Sequence, residues 1–403
     1  MLNPFFQMEP KEQGILWINR NIKLLVLQSV VTQFCFGMLL VVWQPYMLGL
    51  GTTFTQLGTI QAVITIFTGV GSLAWGRLSD RYGRKPVHIA SMLARMIGIL
   101  FIYTSSNWTG FLGFGIFIGL SASWSQTNPV TTTIISESVK EEKMNTAISL
   151  YSSVGTLIAV IASPLGGYLA AEDSHYLIFI SCIVGELVNS LVSQLFLTET
   201  LDNEEAKESG FDLRKLLIPE RVILPFYLMS ILTMFSWRVA FSNLNAILVD
   251  SYGLTTVQLG LMSSAFSISW GLTQTPIGVI IDRYPKRQFL VISRIGFLVI
   301  VLIYIFFDSF HFFLLAQIVN GVAHSFGIPA FTSMILTRVD KSERATVLAK
   351  LSTLPQIVSV PAPIIGGYFY ERYGFKILLI NRVIFLVISI LVILFWISSA
   401  EEK

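Results

Sequence analysis

The sequence is poor in the residues that reactive chemistry uses most. Among 403 residues it has two cysteines, Cys35 and Cys182, and four histidines, at positions 88, 175, 311 and 324. Both cysteines lie in long apolar runs, which excludes a disulfide framework or a thiolate metal cluster. The histidines form no cluster, and no H-E-x-x-H, C-x-x-C or Walker-type glycine loop occurs. No metal, cofactor or catalytic residue is therefore assigned, and the chain is not expected to be an enzyme. Charge is also scarce, at 13%, and nearly balanced, with 27 basic against 24 acidic side chains. That balance argues against a nucleic-acid partner. The amino end, MLNPFFQMEPKEQGILWINRN, has no apolar core followed by a small-residue cleavage site. It reads as a short cytosolic tail rather than a removed signal.

What is abundant is apolar surface: 53% of the residues are hydrophobic, so most of the chain cannot face water. A helix of about 20 apolar residues crosses the roughly 30 Å of bilayer hydrocarbon. Such runs recur at 22–48, 55–75, 87–106, 109–136, 145–170, 175–197, 222–250, 257–280, 288–307, 311–337, 345–370 and 375–398. The expected fold class is an all-α integral membrane protein with twelve transmembrane helices, since ten-residue alternation of a barrel kind is missing. Placing both ends on the cytoplasmic side puts 21 Lys and Arg in inner loops and tails, and only Arg372 and Lys376 outside. This is the asymmetry expected of a multi-pass protein of the plasma membrane, both termini cytoplasmic. The remaining four cations, Arg95, Arg238, Arg294 and Arg382, fall inside expected spans.

The chain repeats itself. At an offset of 202, Leu57, Gly58, Gly69, Gly76, Asp80, Arg81 and Tyr82 meet Leu259, Gly260, Gly271, Gly278, Asp282, Arg283 and Tyr284. At an offset of 200, Pro129, Thr146, Ser152, Gly166, Gly167 and Tyr168 meet Pro329, Thr346, Ser352, Gly366, Gly367 and Tyr368. The division that follows is an amino-terminal six-helix bundle at 1–198, a polar cytosolic linker at 199–221 and a carboxyl-terminal six-helix bundle at 222–403. Six spans per half make the repeats parallel, related by an axis along the membrane normal.

The densest charge lies in GRLSDRYGRKP, residues 76–86, and in its altered copy GVIIDRYPKRQ, residues 278–288. The pattern G-x-L-x-D-R-x-G-R-K resembles the signature loop of the major facilitator superfamily. Gly76, Leu78, Asp80, Arg81, Gly83, Arg84 and Lys85 match it. In the second copy Gly278, Asp282, Arg283, Lys286 and Arg287 match, and Pro285 replaces the glycine. FLTETL at the end of span 6 and APIIGGY in span 11 resemble further patterns of that family. The resemblance covers the whole chain and implies two pseudo-symmetric six-helix bundles. It also implies that the two loops latch one half to the other in the outward-facing state. From the residues alone, a topology anchor is the alternative.

The resemblance further implies that spans 1, 4, 7 and 10 line a central cavity. Candidate substrate contacts on them are Gln33, Trp124, Asn128, Arg238, Ser242, Asn245, Asn320 and His324. Arg238, Ser242 and Asn245 share one helical face, as do Gln317, Asn320 and His324. A guanidinium at mid-bilayer requires water, a carboxylate or an anionic solute, so Arg238 contacts either an anion or an internal partner such as Asp250, Glu186 or a carbonyl. Glu186 is the proton-coupling candidate because span 1 has no acidic residue, with an ion pair to Arg95 as the alternative. Arg294 and Arg382 lie within about two turns of helix ends, where long side chains snorkel.

The function expected is secondary active transport of a small polar or anionic solute by alternating access, proton coupling left open. A facilitative uniporter or multidrug-type exporter of the same fold is the alternative, and a non-transporting membrane sensor the remote one. Expected partners are the solute, membrane lipid and, for a coupled carrier, protons; a monomer suffices.

Overall fold

The structure, a computed structural model, describes residues 19–123, 128–201, 223–339 and 344–396, and among these every regular element is helical. In chain order the helices are α1 (Arg20–Gly49), α2 (Phe54–Tyr82), α3 (Arg84–Thr104), α4 (Trp108–Leu120), α5 (Pro129–Glu137), α6 (Glu141–Ala171), α7 (His175–Phe196) and α8 (Leu224–Phe241). There follow α9 (Leu244–Tyr252), α10 (Thr256–Arg283), α11 (Lys286–Phe306), α12 (Phe310–Leu336), α13 (Arg344–Val358), α14 (Ala362–Tyr373) and α15 (Phe375–Phe395). Among the described residues, nine helices are long and apolar enough to cross a membrane. Both tails and most of the expected linker lie outside the described residues.

Helix starts follow local chemistry and repeat between the halves. Thr53 and Gln56 form a capping box at the start of α2, each side chain taking the other residue's backbone N–H, at 3.3 and 3.0 Å. Thr255 and Gln258 form the same box at α10, at 3.2 and 2.9 Å. Reciprocal caps of this kind satisfy two otherwise orphaned donors.

Three expected spans are each divided into two helices. The span at 109–136 becomes α4 and α5, because Asn128 accepts the Val130 N–H at 2.9 Å and Pro129 opens the new helix, the arrangement that asparagine and proline favour at a helix start. The span at 222–250 becomes α8 and α9, parted at Ser242 and Asn243; the Asn243 side chain donates to the Phe54 carbonyl at 3.2 Å. The span at 345–370 becomes α13 and α14, with Pro361 and Pro363 at the second start.

The halves cross through glycines, and the crossing is pseudo-symmetric. A Cβ on Gly58 would collide with the Pro363 backbone, and one on Gly367 with that of Phe54, which locks α2 to α14. One on Gly167 would meet the Thr256 backbone and one on Gly260 that of Ser163, which locks α6 to α10. Gly58 and Gly260, like Gly167 and Gly367, are repeat counterparts. Small residues of this kind let helix backbones approach in a bilayer, where apolar side chains alone give no preference for protein over lipid.

Buried apolar residues show the same division. One large cluster runs through both halves, from Trp43 and Phe114 to Val239 and Tyr304. Two smaller ones stay within a half: one around Ile22, Val87 and Ile134, the other around Phe226, Ile281 and Leu290. These lie toward the face that carries the two charged loops, called the basic face below. The halves thus share a core at the opposite face and keep separate cores at the basic face.

Candidate functional site

At the basic face, α2 ends on Gly83, whose φ of 100° lies where a side chain is strained. A Cβ there would stand 2.6 Å from Glu199 Oε2, so the turn needs glycine for space as well. Glu199 accepts the backbone N–H groups of Arg84 and Lys85 at 2.8 and 3.1 Å, and those of Thr200 and Leu201 at 3.0 and 3.1 Å. Burial works to raise its carboxyl, but these four donors prevail and hold it below the ordinary carboxylate value. Arg84 bonds Asp80 and, at 2.9 Å, Glu137. In the second copy Pro285 replaces the glycine, and Arg287 bonds the last carbonyls of α15, those of Ile393 (3.1 Å) and Leu394, where a cation meets the helix's negative end. Arg81, Asp282 and Arg283 are exposed. Gly76 and Gly278 have nothing within 4 Å of an added Cβ. Each loop's hydrogen bonds and ion pairs named here stay within its own half.

Three cavities bear on the site, two lined from both halves and one from the carboxyl-terminal half alone. The first, about 320 Å³, is lined by Asn245, Asn320 and His324 together with Phe297 and Arg382. The second, about 690 Å³, lies in the carboxyl-terminal half and shares Trp237, Phe297, His324 and Arg382 with the first. The third, about 550 Å³, is lined by Gln33, His88, Arg95, Asn128 and Tyr151. Such volumes suit small solutes.

The residues singled out from the sequence divide accordingly. Asn245, Asn320 and His324 are brought together, and so are Gln33 and Asn128. Asn245 donates to the Leu40 carbonyl at 3.2 Å, and Ser242 offers its carbonyl to Gln44 Nε2 at 2.6 Å, so both join the halves. Arg238 also crosses between halves, donating from Nη1 to Thr65 Oγ1 at 2.6 Å. The two carboxylates weighed as its partner are engaged elsewhere: Asp250 accepts from Tyr370 at 2.6 Å and Glu186 from Arg95 Nη2 at 2.6 Å. His324 Nδ1 donates to the Asn320 carbonyl at 2.9 Å, and its ring packs edge-on against Phe266 and Phe297. Trp124 lies outside the described residues.

Two cations are placed differently from the sequence reading. Arg294 and Arg382 do not snorkel; they are 8% and 2% exposed and both face the second cavity. Arg382 donates from Nη1 to the Thr233 carbonyl at 2.7 Å and to Ser236 Oγ at 2.6 Å. Arg294 stacks over Phe297 at 5.7 Å. Depth along a helix was readable; the direction each side chain faces was not. One signal was available, since the repeat position of Arg95 at the offset of 202 is Phe297 and Arg294 lies one helical turn before it.

Three comparisons place this arrangement among known proteins. Solute carrier family 22 member 18 of Rattus norvegicus is 25% identical over 370 residues, 88% of each chain. The multidrug resistance protein MdtG of Serratia proteamaculans is 22% identical over 385 residues, covering 92% of this chain and 91% of the relative. The crystal structure of a bacterial homologue of the iron transporter ferroportin in an inward-facing state superposes with a TM-score of 0.74 at 15% identity, over 96% of this chain and all of that one. The model of the Major Facilitator Superfamily matches residues 25–228 and again 226–403, and with the duplicated glycine crossings and loops this establishes that the chain belongs to the Major Facilitator Superfamily.

Proposed function

We propose that the protein is a secondary transporter which carries a small polar or anionic solute across the plasma membrane by alternating access, and that it stands here in the state open toward its basic, cytoplasmic face. One observation carries this reading. Within a single repeat of glycines, Gly58 and Gly260 are pressed against the opposite half, whereas Gly69, Gly76, Gly271 and Gly278 face open space. The same helices that are locked at one end are parted at the other, as expected of two bodies, 1–198 and 222–403, that rock about the cavities between them. One chain supplies both bodies, so a monomer suffices.

Coupling follows from Glu186. Its Oε1 is buried without a partner while Oε2 is held by Arg95, so gain of a proton would release the pair. A uniporter is the second reading, in which the Arg95–Glu186 pair is a fixed structural link between α3 and α7. Solute counterflow in proteoliposomes, with and without a pH gradient, decides: flux driven by the gradient supports coupling, and flux indifferent to it leaves facilitated diffusion. Absence of flux for every solute that binds would remove the transport reading.

A further inference from the structure

The two halves treat their buried charge differently. In the amino-terminal half, Arg95 of α3 faces Glu186 of α7 at 2.6 Å, a neutral pair. In the carboxyl-terminal half the counterpart of α3 is α11, which carries Arg294, and the counterpart of α7 is α15, in which Leu386 stands at the repeat position of Glu186 and a second cation, Arg382, lies one turn earlier. Both arginines line the same cavity. The three ion pairs named above lie in the amino-terminal half, and no carboxylate lines the cavity that the two arginines face. Nε of each is buried without a hydrogen-bond partner, as is Thr233 Oγ1 beside them.

Two buried, uncompensated cations are costly to hold, and the other half shows how the fold neutralises one. We infer that Arg294 and Arg382 form the binding site for the anionic head of an organic solute. A carboxylate or sulfonate placed between them would accept the idle N–H donors in the charge-assisted manner that guanidinium groups favour. The rest of the cavity sets the body of that solute. Trp237, Phe297, Phe331, Met234 and Leu351 offer flat and apolar walls, so the class is an aromatic or similarly apolar organic anion. This inference rests on the transport reading for its biological role, but not for its test.

The test is calorimetric titration of the purified full chain in detergent with 2-naphthoate, 2-naphthalenesulfonate and the neutral 2-naphthamide. The expected result is that at least one anion binds and the amide binds at least tenfold more weakly. Arg294→Gln and Arg382→Gln each weaken the anion at least tenfold. Thr233→Asp, nearly the same size, sets a carboxylate beside Arg382 and copies the neutral arrangement of the other half; it abolishes anion binding while melting at or above the wild-type temperature. Equal binding of acid and amide, wild-type anion affinity in Thr233→Asp, or silence from both anions with a cooperatively melting protein would each overturn the site. Counterflow of the bound anion separates the two readings. Binding without translocation removes transport and leaves the site standing; translocation of another solute by a protein that binds neither anion removes the site and leaves transport.

Discussion

Replacing Gly58 by alanine puts a methyl group where the Pro363 backbone already lies. The atoms it would meet, of Pro363 and Ile364, are backbone rather than flexible side-chain ends, so α2 and α14 must move apart. Overpacking of this kind costs about 1–3 kcal/mol. In an alternating-access cycle the cost falls only on the state in which that face is closed, because separation of the halves frees the methyl group. The equilibrium between the two states should then shift by roughly 5- to 150-fold toward opening at that face. The shift can be read at Ala246, which is fully buried at the crossing, its N–H directed at Gln44 of the other half. A cysteine placed there should react with a membrane-impermeant maleimide faster in Gly58→Ala than in the parent, by a factor in that range. The native Cys35 and Cys182 are buried and contribute little background. Gly69→Ala is the control, since an added Cβ there meets nothing within 4 Å; it should leave the reaction unchanged or slower. Equal labelling in parent and Gly58→Ala, with the protein folded, would refute the reasoning.

Two further outcomes follow from the charged groups. The depressed Glu199 carboxyl stabilises the fold above the ordinary glutamate value of about 4.3, and that contribution is lost as pH falls through the lower folded value. Glu199→Gln should therefore melt lower than wild type near neutral pH, by about 1 kcal/mol or less at so exposed a site, with the gap closing as the medium is acidified; a gap that stays constant down to about pH 3 contradicts this. Glu186→Ala leaves Arg95 buried without its partner and should cost about 3–5 kcal/mol. The double replacement of Arg95 and Glu186 by methionine should recover most of that loss in thermal unfolding, and an equal loss in single and double variants argues against the pair.

The duplication was legible in the sequence because it rests on residues that backbone geometry demands. Gly58 and Gly260, Gly167 and Gly367, and the paired threonine-glutamine caps recur at fixed offsets and reappear as matched crossings and helix starts. Helix interruption was only partly legible. Pro129 and Pro329 are counterparts, yet one opens α5 and the other lies inside the unbroken α12. The difference is the preceding residue: Asn128 caps a new helix, whereas Ile328 has no acceptor to offer. What was not legible is direction within the membrane. Arg382 shares a buried face with Leu386, Ser389 and Ile393, but α15 is apolar on every side, so lipid-facing and cavity-facing positions look alike in its sequence. Ser242 and Asn245 carry an ambiguity of a related kind. Their polarity fits a wet wall and a helix contact equally well, and here they make contacts between halves.

The basic face decides whether the halves rock. Spin labels on cysteines at Arg81 and Arg283, both exposed on the two charged loops, report its opening through their separation. Two separations should be populated, with Gly58→Ala enriching the shorter one as the opposite face opens. A single separation, unmoved by that substitution and by every solute that binds, would mean that the halves are fixed and that no cavity between them is presented alternately to the two sides.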